Sequence, residues 1–329
     1  MFASPDRVLI LIAACGIEAV LAYPAIVFGA IGHPVSWIGA LISALESRLN
    51  RLDYSAAMRR ATGVMTVLLL LVIAFGVGLA LEMAVRTVPF VGFILAIVIV
   101  AALIAAGSLD QHVRAVAAAL RNDGLAGGRQ SIAKIVGRDP EVLDQAAICR
   151  AAIESLAENA SDGVTAPALW YLVGGFPGMI AYKAINTADS MIGHMSERYH
   201  AFGWAAAKLD DLVNWPASRL TGLIFIAAAS VVPGASASSA WQAFCRDARL
   251  HRSPNAGWPE AAMAGALGLR LAGPRVYDGV PVQDQWMGDG RTEATPEDID
   301  RALTIYRTAF RGTLAILALF AVLVASLDG

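Results

Sequence analysis

Charged residues are scarce in this sequence, in which Asp, Glu, Lys and Arg together make up 16% of 329 residues. Soluble domains carry about 25%. Hydrophobic residues reach 57%, and the mean hydropathy is +0.58. There is no basic excess, since the formal net charge is −2, which argues against a nucleic-acid partner. The composition therefore predicts a membrane protein.

Cysteine is equally scarce. Cys15, Cys149 and Cys245 lie far apart without CxxC spacing, which argues against a zinc site or a disulfide framework. We expect them to be packing residues. The sequence also lacks the phosphate-binding loops G-x-x-x-x-G-K-[ST] and G-x-G-x-x-G, a serine nucleophile elbow and an HExxH helix. A bound nucleotide would therefore be held by neither common glycine-rich loop.

Long uncharged or nearly uncharged runs are abundant. A helix needs about 20 apolar residues to cross a hydrocarbon core of roughly 30 Å. The first run is interpreted as a retained span, because its basic flank is limited to Arg7. The predicted spans are Val8–Ile31, which contains Glu18, then Ala61–Leu81, Thr87–Leu109, Leu220–Cys245 and the shorter Gly312–Leu327.

Helical patterns dominate the rest. Asp144–Glu158 is periodic, strand signals are few, and Thr295-Pro296-Glu297-Asp298 is typical of a helix start. We predict an all-α, polytopic integral membrane helical bundle with about five spans (four to six). We expect one membrane-embedded domain, 1–329, whose semi-polar blocks 110–219 and 246–310 carry the active site.

The topology has two solutions. Four arginines between residues 48 and 60 place the first loop and the middle block in the cytoplasm. A single later crossing would leave block 246–310 outside, although it carries eight arginines. Either the run Gly163–Tyr182 also crosses the membrane, or one of the two runs, Gly163–Tyr182 or 220–235, re-enters without crossing. Gly174, Gly175, Pro177 and Gly178 interrupt this run, as in broken or re-entrant helices.

The stretch ESLAENASDG places Glu154, Glu158 and Asp162 at successive i+4 steps, with Asn159 beside them. Like charges at this spacing destabilise a helix by roughly 0.2–0.5 kcal/mol per pair, and near lipid they need a partner or a metal. Mg²⁺ is the expected partner, because it takes carboxylates together with substrate phosphates. The alternative is that one or two acids face water at a helix end.

A second cluster, KAINTADSMIGH, puts Lys183, Asn186, Asp189 and Ser190 on one helical face. A lysine beside an acid and two neutral hydrogen-bonding groups suits a phosphate. An ordinary ion-paired helix surface explains the pattern almost as well.

The third cluster, KLDDLVNWPASR, contains Asp210, Asp211, Asn214 and Arg219. Adjacent aspartates could hold a second magnesium ion or orient a nucleophile, or they could lie at a solvated helix end. Further on, SPNAGWPEAAMAGALGLRLAGP has a turn at Asn255 and many small residues, which favour helix packing or close approach of a large ligand. We expect a lone histidine such as His33 to be a structural hydrogen bonder.

Taken together, four ordered blocks resemble the adenosylcobinamide-phosphate synthases, the CobD/CbiB family of cobalamin biosynthesis. The similarity extends from about Gly32 to Tyr277. The blocks are HPVSWIGALISALESRLN, ESLAENASDGVTAPALWYLVGGFPGMIAYKAINTADSMIGH, ERYHAFGWAAAKLDDLVNWPASRLT and NAGWPEAAMAGALGLRLAGP.

The resemblance implies a multi-pass enzyme of the cell inner membrane with a cytoplasmic active site. It implies amide ligation of adenosylcobyric acid with (R)-1-aminopropan-2-yl phosphate, or with aminopropanol, using ATP and Mg²⁺. The expected partners are these substrates, membrane lipid and other cobalamin-pathway enzymes. A site of this kind must hold Mg-ATP, a bulky corrinoid and the amine together.

The motif positions matched by the resemblance suggest roles. Candidates for magnesium are Glu154, Glu158, Asp162 and Asp189. Candidates for catalysis are Glu154, Glu158, Asp189, Asp210 and Asp211. Candidates for binding substrate and ATP are Asn159, Lys183, Asn186, Ser190, Arg198, Lys208, Asn214, Arg219 and Asn255.

Two other classes compete on chemistry alone. Intramembrane prenyl or phospho-alcohol transferases hold a magnesium-diphosphate with Asp/Asn clusters, which N-x-x-D at 186–189 and D-D-x-x-N at 210–214 imitate. A transporter could use the broken run Gly163–Tyr182 as a midplane site. A lipid substrate would identify the first, and flux without ATP consumption the second.

Overall fold

Helices account for most of the chain. The computed structural model describes residues 5–23, 29–30, 32–136, 140–194, 196–277, 280–282 and 284–327. The longer helices are α1 (Pro5–Leu21), α2 (Pro34–Leu49), α3 (Ala56–Thr87), α4 (Pro89–Leu103), α5 (Ala106–Ile132), α6 (Gln145–Asn159), α7 (Ala166–Ile192), α8 (Trp204–Ala229), α9 (Ala237–Asp247), α10 (Gly257–Leu267) and α11 (Pro296–Leu327). A π-helical segment, Ala160–Thr165, lies between α6 and α7, and a 3-10 turn, Ala248–Leu250, follows α9.

Helix starts follow the capping signals. The carboxylate of Asp144 accepts the N–H of Ala147 at 2.7 Å, and α6 then covers the predicted periodic segment. At α11, Asp298 accepts the N–H of Thr295 at 2.8 Å, which confirms the predicted helix start. Such side-chain acceptors satisfy N–H groups that lack a partner within the helix.

His33 caps α2 in the same way. Its Nδ1 accepts the N–H of Val35 at 3.2 Å. Burial and the nearby charge of Lys183 hold the pKa of His33 below its ordinary value, which favours the neutral ring that this acceptor role requires. The prediction that His33 is a structural hydrogen bonder is confirmed.

Within the described residues, five helical stretches are long and apolar enough to cross a membrane. The structure therefore confirms an all-α membrane protein with about five spans. The stretches are Ala56–Thr87, Pro89–Ile132, Gln145–Ile192, Trp204–Ala229 and Pro296–Leu327.

Three predicted spans differ from the helices of the structure. The predicted span Thr87–Leu109 covers α4 and the start of α5, with the non-helical residues 104–105 between them. The predicted span Leu220–Cys245 is not one helix: α8 ends at Ala229 and α9 begins at Ala237. Pro233 and Gly234 form a turn between them, with Gly234 at a φ of 77°. The predicted span Val8–Ile31 is helical in α1 only as far as Leu21. Its residues 24–28 and 31 lie outside the described part.

The run Gly163–Tyr182 is a broken helix, as its glycines and Pro177 indicate. It begins in the π-helical segment, and Gly175 has a φ of 63° inside α7, with Pro177 two residues later. Both features interrupt regular α-helical hydrogen bonding. Whether this helix crosses or re-enters stays a prediction.

The chain packs as two compact units. Unit 1 contains residues 1–105, 166–214 and 320–329, and unit 2 contains 106–165 and 215–319. One core of unit 1 forms around Ile42, Leu70 and Phe202. Unit 2 has a larger core, in which α10 is almost entirely buried and α6 is buried over its middle turns. The single domain 1–329 stays a prediction.

Short strands are present where the sequence offers few strand signals. In the described residues of unit 2, β1 (Leu271–Ala272) pairs antiparallel with β4 (Trp286–Met287), and β2 (Arg275–Tyr277) pairs antiparallel with β3 (Val280–Val282). Leu271 lies opposite Met287.

The cysteines are free thiols. Cys15 and Cys149 are buried, as expected of packing residues. Cys245 is exposed, so the packing prediction is wrong for this residue.

Candidate functional site

Unit 1 holds a buried carboxylate between two amides, which we call the Asp210 cluster: Asp210, Asn186, Asn214 and Tyr182. Asn186 Nδ2 lies 3.3 Å from Asp210 Oδ1, and Asn214 Nδ2 lies 2.9 Å from Oδ2. The Tyr182 hydroxyl donates to Asn214 Oδ1 at 2.8 Å. Two predicted motifs, on α7 and α8, are thus joined by direct hydrogen bonds.

Asp189 and Lys183 flank this cluster on α7. The charge of Asp189 acts on Asp210, so two carboxylates lie within electrostatic reach of each other. Lys183 is buried, and its charge acts on His33. Ser190 donates its hydroxyl hydrogen to the carbonyl of Asn186 at 2.9 Å. A buried lysine, two carboxylates and an amide of the predicted motifs thus belong to the same part of unit 1, and their binding role stays a prediction.

Three other predicted residues of unit 1 pair outside the cluster. Arg198 binds the buried carboxylate of Glu46 through two hydrogen bonds of 2.9 and 3.0 Å. Lys208 lies 3.5 Å from Asp211, and both are far more exposed than Asp210. The adjacent aspartates therefore differ in environment: Asp210 is bound by two amides and Asp211 faces a surface lysine.

In unit 2, Glu154 points into the protein. Its Oε1 accepts the backbone N–H of Ala272 at 2.8 Å, which ties α6 to β1. Glu154 is 5% exposed, whereas Glu158, one turn later, is exposed. The two acids share a spacing but have different environments.

The predicted acid stripe also changes helix type. Asn159, whose Nδ2 donates to the carbonyl of Ser155 at 2.9 Å, ends α6, and Asp162 lies in the π-helical segment. A π-helical turn contains more residues than an α-helical turn, so Asp162 does not continue an α-helical stripe. Single π-helical turns occur frequently at functional sites.

Arg219 and Asn255 meet in unit 2. Asn255 is buried, and its Oδ1 accepts from Arg219 at 3.0 Å and from the Ser218 hydroxyl at 3.2 Å. The Arg219 guanidinium lies over the rings of both Trp215 and Trp258, 4.5 and 4.6 Å from their centroids. Such stacking fixes the plane of a guanidinium.

Sequence reasoning missed Tyr182, which orients the Asn214 amide. A weak signal was available: Tyr182 ends the uncharged run and lies four residues before Asn186, on the same helical face.

A Mg²⁺ site depends on how many carboxylates lie close together. Over the described residues, no group of three or more His, Cys, Asp or Glu is close enough together to hold a metal. Magnesium needs only one or two carboxylates when phosphates complete its shell. Asp189 and Asp210 meet that requirement in unit 1. The magnesium set Glu154, Glu158, Asp162 and Asp189 stays a prediction.

The known proteins that are similar to this chain point to a single family. The model of the family described as CobD/Cbib protein matches residues 11–306. A relative from Rhizobium meliloti named Cobalamin biosynthesis protein CobD is 50% identical, covering 93% of this chain and 94% of its own. Relatives of the same name from Brucella suis and Rhodobacter capsulatus are 48% and 45% identical, covering 91% and 95% of this chain and 92% and 97% of their own. No solved structure matches the chain.

The fold and the two polar sites define a helical membrane protein with buried carboxylates and amides beside apolar spans. Since the family model covers most of its length, the chain belongs to the CobD/CbiB family.

Proposed function

We propose that this protein acts in cobalamin biosynthesis as an adenosylcobinamide-phosphate synthase. It joins a side-chain carboxyl of adenosylcobyric acid to (R)-1-aminopropan-2-yl phosphate, or to aminopropanol, at the expense of ATP. The observation that carries this proposal is family membership over residues 11–306, with relatives named Cobalamin biosynthesis protein CobD.

The chemistry explains why acids, amides and cations are needed together. A carboxylate oxygen of the corrinoid attacks the γ-phosphorus of ATP, ADP leaves, and an acyl phosphate forms. The amine nitrogen, after losing a proton to a base, attacks the acyl carbon and inorganic phosphate leaves. Placing three reactants side by side removes much of the entropic cost, and fixed cations stabilise the charge on the transferred phosphate.

We assign the proton and metal roles to the Asp210 cluster and Asp189. Asp189 and Asp210 would hold Mg²⁺, which when bound neutralises phosphate charge. The amides of Asn186 and Asn214 hold the Asp210 carboxylate in place. Lys183 supplies a positive charge on the same helix, α7, suited to a phosphate oxygen.

The proposal places the protein in the cell inner membrane as a multi-pass enzyme with its site facing the cytoplasm. Five candidate spans in the described residues support membrane residence, and the arginines between residues 48 and 60 support the orientation. The proposed partners are the corrinoid, the phosphorylated amine, membrane lipid and other enzymes of the pathway.

A reconstituted assay tests the function. The full chain, purified in detergent, is incubated with adenosylcobyric acid, aminopropanol phosphate, ATP and Mg²⁺, and the corrinoids are separated by HPLC. We expect adenosylcobinamide phosphate together with one ADP and one phosphate per amide. Reactions that lack ATP, lack the amine or contain EDTA should give none.

The rival classes predict different results. A transferase would leave ATP intact and modify a lipid or prenyl diphosphate. A transporter would move corrinoid into proteoliposomes without making an amide. Folded protein that forms no amide under these conditions, and performs either reaction instead, would overturn the ligase proposal.

A further inference from the structure

Unit 2 contains a cavity whose lining combines residues of the predicted motifs with residues outside them. It has a volume of about 900 Å³ and is formed by α8 and the segment between α9 and α10. We call it the arginine cavity. Its lining includes Arg219, Arg249, Arg252, His251, Trp215 and Trp258.

The charged side chains that line this cavity are all basic. Three arginines line it, and none of the described lining residues carries a carboxylate. The charge of Arg249 acts on Arg219, so these two cations of the lining lie within electrostatic reach of each other. Like charges held together in this way favour an anion between them.

The three arginines differ in how many hydrogen bonds and ion pairs they already make within the protein. Arg219 donates to Asn255 and to the carbonyls of Trp215 and Pro254, so most of its donors serve the fold. The exposed Arg252 forms an ion pair with Asp284 at 3.9 Å, a distance too long for a hydrogen bond, so its N–H donors can still bind a phosphate oxygen. Across the part of the chain that the structure describes, no hydrogen bond or ion pair involves the exposed Arg249 side chain.

We propose that the arginine cavity binds the phosphate group of a soluble substrate, with Arg249 and Arg252 contacting the phosphate oxygens. Guanidinium groups match phosphate in geometry and charge. Arg219, which lies over two indole rings, supplies fixed positive charge at the wall. The volume is within the range of about 300–1,000 Å³ for small-molecule sites, so it accommodates the molecule that carries the phosphate.

This inference rests on the proposed function, because the ligase reaction offers two soluble phosphate carriers: the phosphorylated amine and ATP. It goes beyond that function by assigning the phosphate to Arg249 and Arg252, which the motif analysis leaves without a role. A phospholipid headgroup offers the same chemistry and has to be separated by experiment.

Direct binding is the test, with no turnover required. The full chain in detergent is titrated with aminopropanol phosphate, aminopropanol, ATP or inorganic phosphate, and binding is followed by calorimetry and tryptophan fluorescence. Trp215 and Trp258 line the cavity, so occupation should change the emission. The variants are Arg249→Gln, Arg252→Gln and the double substitution. The matched control is Arg114→Gln, an exposed arginine of the same unit outside the cavity.

We expect aminopropanol phosphate or ATP to bind at least tenfold more weakly to the double variant, because charge-assisted hydrogen bonds are lost. The control should stay within twofold of the wild type. The carrier whose affinity depends on the arginines is the occupant. If the occupant is the amine, aminopropanol should bind the wild type more weakly than aminopropanol phosphate by a similar factor.

Unchanged affinity of the double variant for both carriers would overturn the proposal. It would also be overturned if only binding to phosphatidylglycerol nanodiscs depended on Arg249 and Arg252, since the ligand would then be a lipid. Binding without amide formation would leave the cavity assigned and the ligase function refuted. Amide formation by a protein whose phosphate binding does not depend on Arg249 and Arg252 would support the ligase function and refute the assignment of the cavity.

Discussion

The hydroxyl of Tyr182 donates to Oδ1 of Asn214 at 2.8 Å, and this contact decides which way the Asn214 amide faces. With its oxygen committed to Tyr182, the amide presents Nδ2 to Asp210 at 2.9 Å. Asp210, Asn214 and Tyr182 are all buried. A tyrosine on α7 therefore controls the position of a carboxylate on α8.

Tyr182→Phe tests this control. Loss of the hydroxyl should lower the free energy of unfolding by about 1 kcal/mol, and it should reduce kcat/KM because the amide is no longer held. Asn214→Ala should reduce both further. Since the two side chains act through one hydrogen bond, their effects on kcat/KM should be less than additive in a double-mutant cycle. Strict additivity would contradict the orientation argument.

The adjacent aspartates should differ in their importance. Asp210→Asn removes the carboxylate held by two amides, and we expect kcat to fall by roughly 10²–10⁴-fold, as for a lost acid–base or metal-binding group. Asp211→Asn should cost far less, because Asp211 pairs with the exposed Lys208. Asp53→Asn, an exposed acid paired with Arg51 in the same unit, serves as the control. Equal losses for Asp210 and Asp211 would refute this difference.

Glu154 should act mainly through the fold. Glu154→Ala leaves the buried N–H of Ala272 without its acceptor, and this should cost roughly 1–3 kcal/mol of unfolding free energy. Glu154→Gln keeps an acceptor oxygen and should restore most of the stability. Thermal unfolding measured beside an amide assay separates the two roles. A stable but inactive Glu154→Gln variant would instead support the predicted metal or catalytic role.

Gly175 should resist substitution because of its backbone, and Gly174 provides a neighbouring control. Gly175 has a φ of 63°, so Gly175→Ala is strained by roughly 1–2 kcal/mol. An added Cβ would also lie 2.6 Å from Glu82 Oε2, which accepts the N–H of Phe176. Gly174→Ala meets no atom within 4 Å. We expect a lower Tm only for Gly175→Ala; equal Tm values would show that the kink is not required.

Asp247 should make stability depend on pH. Burial alone raises the pKa of Asp247, but hydrogen bonds from Arg246 and the N–H of Gly288 outweigh it, so the pKa lies below the ordinary value of 3.8. The ionised group therefore stabilises the folded state above about pH 4, and this contribution is lost as the pH falls through the folded-state pKa.

Thermal unfolding of wild type and Asp247→Asn from pH 7.5 to 3.0 measures this effect. The wild type should have the higher Tm at neutral pH, and the difference should shrink below about pH 4. A difference that stays constant over this range would show that ionisation of Asp247 is not responsible.

Much of the helical architecture is predictable because its signals are local. The capping residues Asp144 and Thr295, together with Pro296, mark two helix starts that the structure confirms. The predicted spans Ala61–Leu81 and Thr87–Leu109 are separated by a short connection, which predicts a helical hairpin. The structure has this hairpin, with Val88 alone between α3 and α4. The span Leu220–Cys245 fails because apolar character continues through the turn at Pro233 and Gly234.

Composition and local pattern by themselves determined the membrane class, the helical fold and the motif residues that carry acids, amides and cations. Tertiary structure decided what each of them does. Glu154 turns inward and accepts a backbone N–H 118 residues away. Asp210 is buried and accepts a hydrogen bond from Asn186 of α7, whereas Asp211 pairs with the exposed Lys208. Burial and hydrogen-bond partners come from segments distant in sequence, and therefore spacing along one helix cannot specify them.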